Sequence, residues 1–150
     1  HNGHRDLTWD THGANSLQSD HYEDLFSGLL GIMDQLALRP GLVSDSLLEE
    51  VCVVVISEMG RTPYLNAAEG KDHWTMTSAM LVGSGVRGGQ SLGGYDDRVF
   101  GHPIDLATGG ITAGGTRLEA GHLGATLLSL ADIDPAELLP SQPPITAMIA

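Results

Sequence analysis

Apolar side chains recur every three or four residues in the first half of the chain, at Leu25, Leu29, Met33 and Leu36, with Leu30 and Ile32 widening the stripe. This spacing places them on one face of an α-helix. Asn15 is a suitable N-cap, and Gln18 completes a capping-box-like pair with it. The segment Arg39-Pro40-Gly41 ends the helix because it supplies a proline and then a glycine.

A second apolar pattern with helical spacing lies near the end of the chain, at Leu118, Leu123, Leu127, Leu128, Leu130 and Ala131. It predicts a second helix over this stretch. Asp134-Pro135 follows the last apolar position, and a proline there ends the helix.

Two short apolar runs between these segments are predicted to be strands. Val51–Ile56 is too short for a helix, is β-branched apart from Cys52, and is apolar on both faces. Those features are typical of a central strand in a parallel sheet. Ala79–Val82 is predicted to be a second buried strand. From Gly83 to Gly115 glycines crowd the chain without periodicity, so we expect a long loop region there.

The order of these elements predicts an α/β fold with a partial, doubly wound, mainly parallel sheet and flanking helices. A length of 150 residues corresponds to about one domain. We therefore expect residues 1–150 to belong to one domain, with no internal boundary. In open parallel sheets, ligands bind outside the carboxyl ends of the strands. Polar residues that follow a strand end are the first candidates for a site.

Charge narrows the classes of partner. Lys+Arg 7 against Asp+Glu 19 gives a formal charge of −12. This balance argues against nucleic acid, which is bound through basic side chains, and against an anionic membrane surface. No apolar run approaches the roughly 20 residues of a membrane span. Cys52 is the only cysteine, so the chain has no internal disulfide.

Three polar motifs lie at the edges of the apolar segments: Trp9-Asp10-Thr11-His12-Gly13, Ser57-Glu58-Met59-Gly60-Arg61-Thr62-Pro63 and Lys71-Asp72-His73-Trp74. Carboxylate oxygens and imidazole nitrogens are ligands for zinc, manganese and similar divalent ions. The candidate metal ligands are therefore Asp10, His12, Glu58, Asp72 and His73. An arginine beside such ions usually pairs with phosphate or sulfate, which makes Arg61 the candidate substrate-binding residue.

Each candidate also has a purely structural explanation. Asp10 and His12 are compatible with a polar turn before the first helix. Glu58 fits a solvated strand end that is bridged to Arg61, an arrangement worth little when exposed. Asp72-His73 fits an ordinary loop pair.

A glycine motif suggests a different function, but its context argues against it. Gly83–Gly88 matches the G-x-G-x-x-G dinucleotide pattern after a predicted strand. That function needs a helix N-terminus to receive the pyrophosphate. Gly89, Gly93 and Gly94 follow instead and would make a poor helix, so we set nucleotide binding aside.

The order of the three motifs resembles an uncharacterised family of mostly exported bacterial proteins, domain of unknown function 1501. The resemblance spans roughly residues 9 to 139 and includes Gly85-Val86-Arg87-Gly88-Gly89-Gln90 and Ile133-Asp134-Pro135. The family is placed in the alkaline phosphatase and sulfatase superfamily. The resemblance therefore implies an alkaline-phosphatase-like fold, of which this chain is the carboxyl-terminal portion, and a periplasmic or extracellular location.

The resemblance also implies roles for individual residues. Superfamily members hold two divalent ions between aspartates and histidines, and Asp10 and His12 resemble one such pair. Glu58 stands where those enzymes place the aspartate of an Asp-His pair, and His73 resembles the late metal-binding histidine. Asp72 is either a ligand or a carboxylate that fixes an imidazole. Met59 departs from the pattern, because a histidine is expected after the carboxylate.

The resemblance implies a metal-dependent hydrolase of phosphate or sulfate esters, with one or two divalent ions as cofactor and a small anionic ester as substrate. The nucleophile is expected upstream of His1, in an N-terminal segment of the same protein. The alternative is a noncatalytic exported binding or structural module that retains the scaffold. The residue after Glu58 favours that alternative, since the missing histidine weakens one metal site.

Overall fold

The computed structural model describes residues 9–150, and their contacts divide them into two units. The first unit takes the described residues up to Glu49 together with Ile56–Ser78. The second takes Glu50–Val55 and Ala79–Ala150. The chain therefore leaves the first unit for one strand segment, returns to it, and then leaves it again.

The first unit is built on helix α1, which spans Gln18–Leu38 and follows a 3-10 turn at Asn15–Leu17. The predicted helix and its end at Arg39 are confirmed, and the four central stripe positions are half-buried. The prediction that Leu30 and Ile32 widen the packed stripe is wrong, because these side chains are 63% and 51% exposed. The predicted capping pair is also wrong: no side chain caps either start, and the buried Asn15 Oδ1 has no hydrogen-bond partner among residues 9–150.

Two very short strands complete the first unit. Strand β2 spans Gly60–Arg61 and strand β3 spans His73–Trp74, and they pair antiparallel with Arg61 opposite His73. Neither strand was predicted, since two residues carry no periodicity. A Cβ atom at Gly60 would lie 1.6 Å from the carbonyl oxygen of Met76, so only glycine fits there. The pairing places the Arg61 and His73 side chains side by side on one face.

The two predicted strands exist, but their pairing differs from the prediction. Strand β1, Cys52–Ile56, and strand β4, Ala79–Gly83, form a two-stranded sheet. The N–H of Ser84 donates to the carbonyl oxygen of Val51 at 3.0 Å. The end of β4 therefore lies beside the start of β1, and the strands run antiparallel.

The prediction of a doubly wound, mainly parallel sheet is thus wrong within residues 9–150, and a mixed α/β arrangement with small antiparallel sheets stands in its place. The residues of β1 are half-buried or exposed, not fully enclosed. Its run of valine and isoleucine therefore reflects the β-propensity of these side chains and not a central position in a sheet.

Helix α2, Ala120–Leu130, confirms the second predicted helix, which ends before Asp134-Pro135. No helix or strand lies between β4 and α2 among the described residues, which confirms the long loop region. The core of this unit consists of Ile104, Ile145 and Ala147, packed against Leu92, Leu106 and Met148. Buried Thr126 ties α2 to that core, because its hydroxyl donates to the His122 carbonyl and accepts from the Ile145 N–H.

The two α-helices bear on two functions considered from the sequence, a membrane span and a dinucleotide site. Among residues 9–150, no helix is long and apolar enough to cross a membrane. Gly83–Gly88 leads into a turn and irregular chain, and the next α-helix along the described chain begins only at Ala120. The glycine motif therefore lacks the helix N-terminus that a pyrophosphate site requires.

Candidate functional site

The first polar motif is attached to a loop of the same unit, residues 66–71. The N–H of Lys71 donates to the Thr11 carbonyl at 2.9 Å, and the Asn66 side-chain amide donates to the His12 carbonyl at 3.0 Å. Gly70 allows this approach, because a Cβ atom there would lie 1.9 Å from the His12 carbonyl oxygen. The backbone on either side of the His12 side chain is therefore fixed.

Asp10 orients the imidazole of His12. Its Oδ1 accepts the His12 backbone N–H at 3.0 Å and also contacts the ring nitrogen Nδ1. A carboxylate only accepts hydrogen bonds, so Nδ1 carries a proton, and in the neutral ring the lone pair lies at Nε2. The backbone N–H of His12, then its ring, and more weakly Arg61, hold the pKa of Asp10 below its ordinary value. The carboxylate stays charged and keeps the ring in one tautomer.

Arg61 is the least exposed of the charged groups here, with 16% of its side chain accessible. Nη1 donates to the Lys71 carbonyl at 3.0 Å, and Nη2 lies 3.4 Å from Asp10 Oδ1. Nη1 is also 3.1 and 3.0 Å from the two ring nitrogens of His12. An atom equidistant from both nitrogens within the ring plane would overlap ring carbon atoms. Nη1 therefore lies over the face of the imidazole, a cation–π arrangement.

His73 completes the group from the third motif. Its ring centroid lies 4.6 Å from that of His12, with the ring planes inclined at 48°. Strand pairing places it beside Arg61. We call these four residues, Asp10, His12, Arg61 and His73, the Arg61 cluster. The cluster joins side chains from the three polar motifs, which are separate in the sequence, and the metal-binding and anion-binding roles predicted for these residues stay predictions.

Glu58 and Asp72, the other two candidates, make no contact with the Arg61 cluster among the interactions of the described residues. The pKa of Glu58 is lowered mainly by its own backbone N–H and by the Ser57 hydroxyl, with smaller effects of Arg61 and His73. Glu58 therefore lies within electrostatic range of the cluster but does not touch it. Asp72 accepts a hydrogen bond from the Asn66 amide at 2.9 Å.

The three motifs that contribute to the cluster all lie within a stretch that matches a known family. The family model described as protein of unknown function (DUF1501) matches residues 1–142. The chain belongs to this family. A search of curated proteins and a search of solved structures found no match. This match confirms the family predicted from the motifs. The predicted superfamily, exported location and activity stay predictions.

Among the residues that the structure describes, the side chains of this DUF1501 chain are not gathered around one metal position. Within residues 9–150, no three His, Cys, Asp or Glu side chains surround one point. Asp10 and His12 bind each other, and the guanidinium of Arg61 covers the His12 ring. The predicted ligands therefore supply a carboxylate–imidazole pair here, and the metal itself stays a prediction.

Asn66 and Gly70 contribute to the site and were not predicted from the sequence. Asn66 lies between Pro63 and Gly70, and an asparagine in such a segment signals a turn stabilised by its own side chain. That signal predicts the local turn. It does not predict the bond to His12, which lies 54 residues away in the sequence.

Proposed function

We propose that the Arg61 cluster forms part of the site for a phosphate or sulfate ester in a metal-dependent hydrolase. The observation that carries this proposal is the position of Arg61. Its largely enclosed guanidinium is held against an imidazole and a carboxylate from another segment. A chain with Lys+Arg 7 and Asp+Glu 19 has few cationic side chains, and one of them contacts His12 and is paired by strand register with His73. Such a group attracts a doubly charged oxyanion.

Arg61 retains the donors that an oxyanion needs. The hydrogen bonds described for it use Nη1 and one side of Nη2. No hydrogen bond described within residues 9–150 uses Nε, and a guanidinium binds two oxygens of one anion through its Nε and Nη2 hydrogens. The contacts with Lys71 and Asp10 fix the plane of the guanidinium. Arg61 would thus bind the ester with an orientation already set.

His12 would act on the ester through Nε2. Asp10 fixes Nδ1 as the protonated nitrogen, so Nε2 carries the lone pair and lies on the other side of the ring. A carboxylate–histidine pair of this kind serves as a proton acceptor or as a hydrogen-bonding partner in acyl and phosphoryl transfer. His73, whose ring centroid lies 4.6 Å from that of His12, would supply a second imidazole beside it.

The metal dependence, the alkaline phosphatase superfamily and an exported location enter the proposal through the order of the motifs alone. A divalent ion, when bound, would polarise the ester oxygen and lower the pKa of a nucleophile. We assign it no step, because the described side chains do not surround one point. No residue of this chain is assigned as the nucleophile.

The second candidate function is a noncatalytic exported module that binds an anion or supports a larger structure. Two observations favour it. Met59 follows Glu58 where the superfamily has a histidine, and Glu58 makes no described contact with the cluster. The two candidates differ in their chemistry, since only the hydrolase turns over an ester.

Titration calorimetry with inorganic phosphate and with sulfate tests anion binding. Arg61→Lys keeps the charge but removes the fork, so affinity should fall about tenfold to a hundredfold, as for hydrogen bonds to charged groups. Arg98→Lys is the matched control, because Arg98 is 83% exposed and pairs only loosely with Asp96 at 3.9 Å. Equal affinities of wild type and Arg61→Lys would give Arg61 a structural role only.

Hydrolysis separates the two candidate functions. The purified full-length protein should contain divalent metal by elemental analysis and release nitrophenol from 4-nitrophenyl phosphate or sulfate. Anion binding without bound metal and without hydrolysis would support the module instead.

A further inference from the structure

The side-chain amide of Asn66 uses its full hydrogen-bonding capacity. Nδ2 donates to the His12 carbonyl at 3.0 Å and to Asp72 Oδ1 at 2.9 Å. Oδ1 accepts from the N–H groups of Ala68 at 2.9 Å and Gly70 at 3.0 Å. An asparagine amide offers two N–H donors and two lone pairs, so every donor and acceptor is engaged.

The oxygen and the nitrogen of this amide bind different parts of the unit. The oxygen binds only its own loop, two and four residues further along the chain, and so shapes the turn. The nitrogen binds outside the turn. It donates to the backbone carbonyl of His12 and to the side chain of Asp72, which directly precedes His73 in the sequence. One planar group thus links the two segments that carry the facing imidazoles.

We infer that Asn66 is a positioning residue of the Arg61 cluster, which sets the separation of the His12 and His73 rings through its two Nδ2 hydrogen bonds. This inference takes its chemical meaning from the proposed function, but its geometry does not depend on it. Asn66 would not touch the ester. It would act through the two imidazoles that do.

The shape and chemistry of asparagine are both required. Aspartate has the same shape but no donor, and it would direct an acceptor at the His12 carbonyl and a second negative charge at Asp72. Alanine removes both halves of the amide without adding charge. In either variant the backbone bonds from Lys71 to Thr11 and from Thr62 to Asp72 remain. The unit should therefore still fold, with the two rings no longer held at one distance.

The test is the nuclear Overhauser effect between ring protons of His12 and His73. Wild type should show it, because the centroids are 4.6 Å apart. Asn66→Asp and Asn66→Ala should both lose it. Gln90→Glu is the matched control: Gln90 also donates through a side-chain amide to two backbone carbonyls, those of Arg87 and Ala147, but in the second unit. That variant should keep the ring–ring signal.

Phosphate titration of the same proteins adds a functional measurement. Affinity should fall about tenfold in Asn66→Ala, which loses all four hydrogen bonds of the amide without gaining charge, and stay at the wild-type value in Gln90→Glu. An unchanged ring–ring signal in both Asn66 variants would overturn the inference. Absence of phosphate binding by the wild type would instead contradict the proposed function, while the ring–ring measurement would still test the positioning role.

A measurement on the wild type covers the case in which the variants do not fold. Both side-chain amide protons of Asn66 are hydrogen-bonded, so both should exchange with solvent much more slowly than those of an exposed asparagine or glutamine. Exchange at the rate of an exposed amide would show that the two Nδ2 bonds do not persist, and the inference would fall.

Discussion

Replacing Gly70 by alanine tests the contact that holds the first motif in place. A Cβ atom at this position would lie 1.9 Å from the carbonyl oxygen of His12 and 2.4 Å from that of Thr11. Both neighbours are backbone atoms, so no flexible side chain can move aside. The loop would have to retreat by about 1 Å to reach even a tight contact of 3.0 Å.

The expected cost follows from what that retreat breaks. The hydrogen bonds from Lys71 to Thr11 and from Asn66 to His12 are 2.9 and 3.0 Å long, and about 1 Å more would end both. Each contributes about 1 kcal/mol, and overpacking adds about 1–3 kcal/mol. Gly70→Ala should therefore lower the free energy of unfolding of the first unit by about 3 kcal/mol or more.

Tryptophan fluorescence during urea unfolding is the appropriate assay, because Trp9 and Trp74 are the only tryptophans and both belong to the first unit. Gly13→Ala is the matched control, since a Cβ atom there meets nothing within 4 Å. It should leave the urea midpoint unchanged or raise it slightly. A Gly70→Ala protein with the wild-type midpoint would refute the packing of this loop against His12.

Three further predictions concern the rest of the fold. Gly28→Ala and Gly31→Ala, at exposed positions of α1 where a Cβ atom meets nothing within 4 Å, should each stabilise the first unit by about 0.5–1 kcal/mol in the same urea assay. Thr126→Val should cost about 1–3 kcal/mol in thermal unfolding followed by circular dichroism, because it leaves the buried N–H of Ile145 unpaired; no loss would contradict that bond. The N–H groups of Thr108 and Ala107 lower the pKa of Asp105, so its stabilising effect should be complete above the unfolded value of about 3.9 and disappear as pH falls through the lower folded pKa. Asp105→Asn should make the melting temperature less sensitive to pH between about 5 and 3, and an unaltered slope would contradict this.

The helices were predictable from the sequence because each forms from contacts between neighbouring turns. Periodic leucines and the breaks at Arg39-Pro40-Gly41 and Asp134-Pro135 gave α1 and α2 their positions. The pairing of β1 with β4 was not predictable in the same way. A short run of β-branched residues favours a strand, but the direction of its partner depends on chain connections that leave no local pattern.

The site was predictable in its residue types and less so in its geometry. Carboxylate, imidazole and guanidinium groups at segment ends pointed to the Arg61 cluster. The route that brings them together is the antiparallel pairing of Arg61 with His73, not the common edge of a parallel sheet. The same hypothesis also included Glu58, which makes no described contact with the cluster. Its carboxylate instead accepts a hydrogen bond from the neighbouring Ser57 hydroxyl at 3.1 Å, a local contact that the sequence-based expectation of convergence did not consider.

Nuclear magnetic resonance titration of the protein with inorganic phosphate, and separately with sulfate, tests the central claim most directly. The account predicts saturable shifts of the Arg61 Nε–H signal and of the ring signals of His12 and His73, with the Nε–H signals of Arg98 and Arg117 unmoved. No shift at Arg61, or equal shifts at all three arginines, would contradict an oxyanion site at the Arg61 cluster.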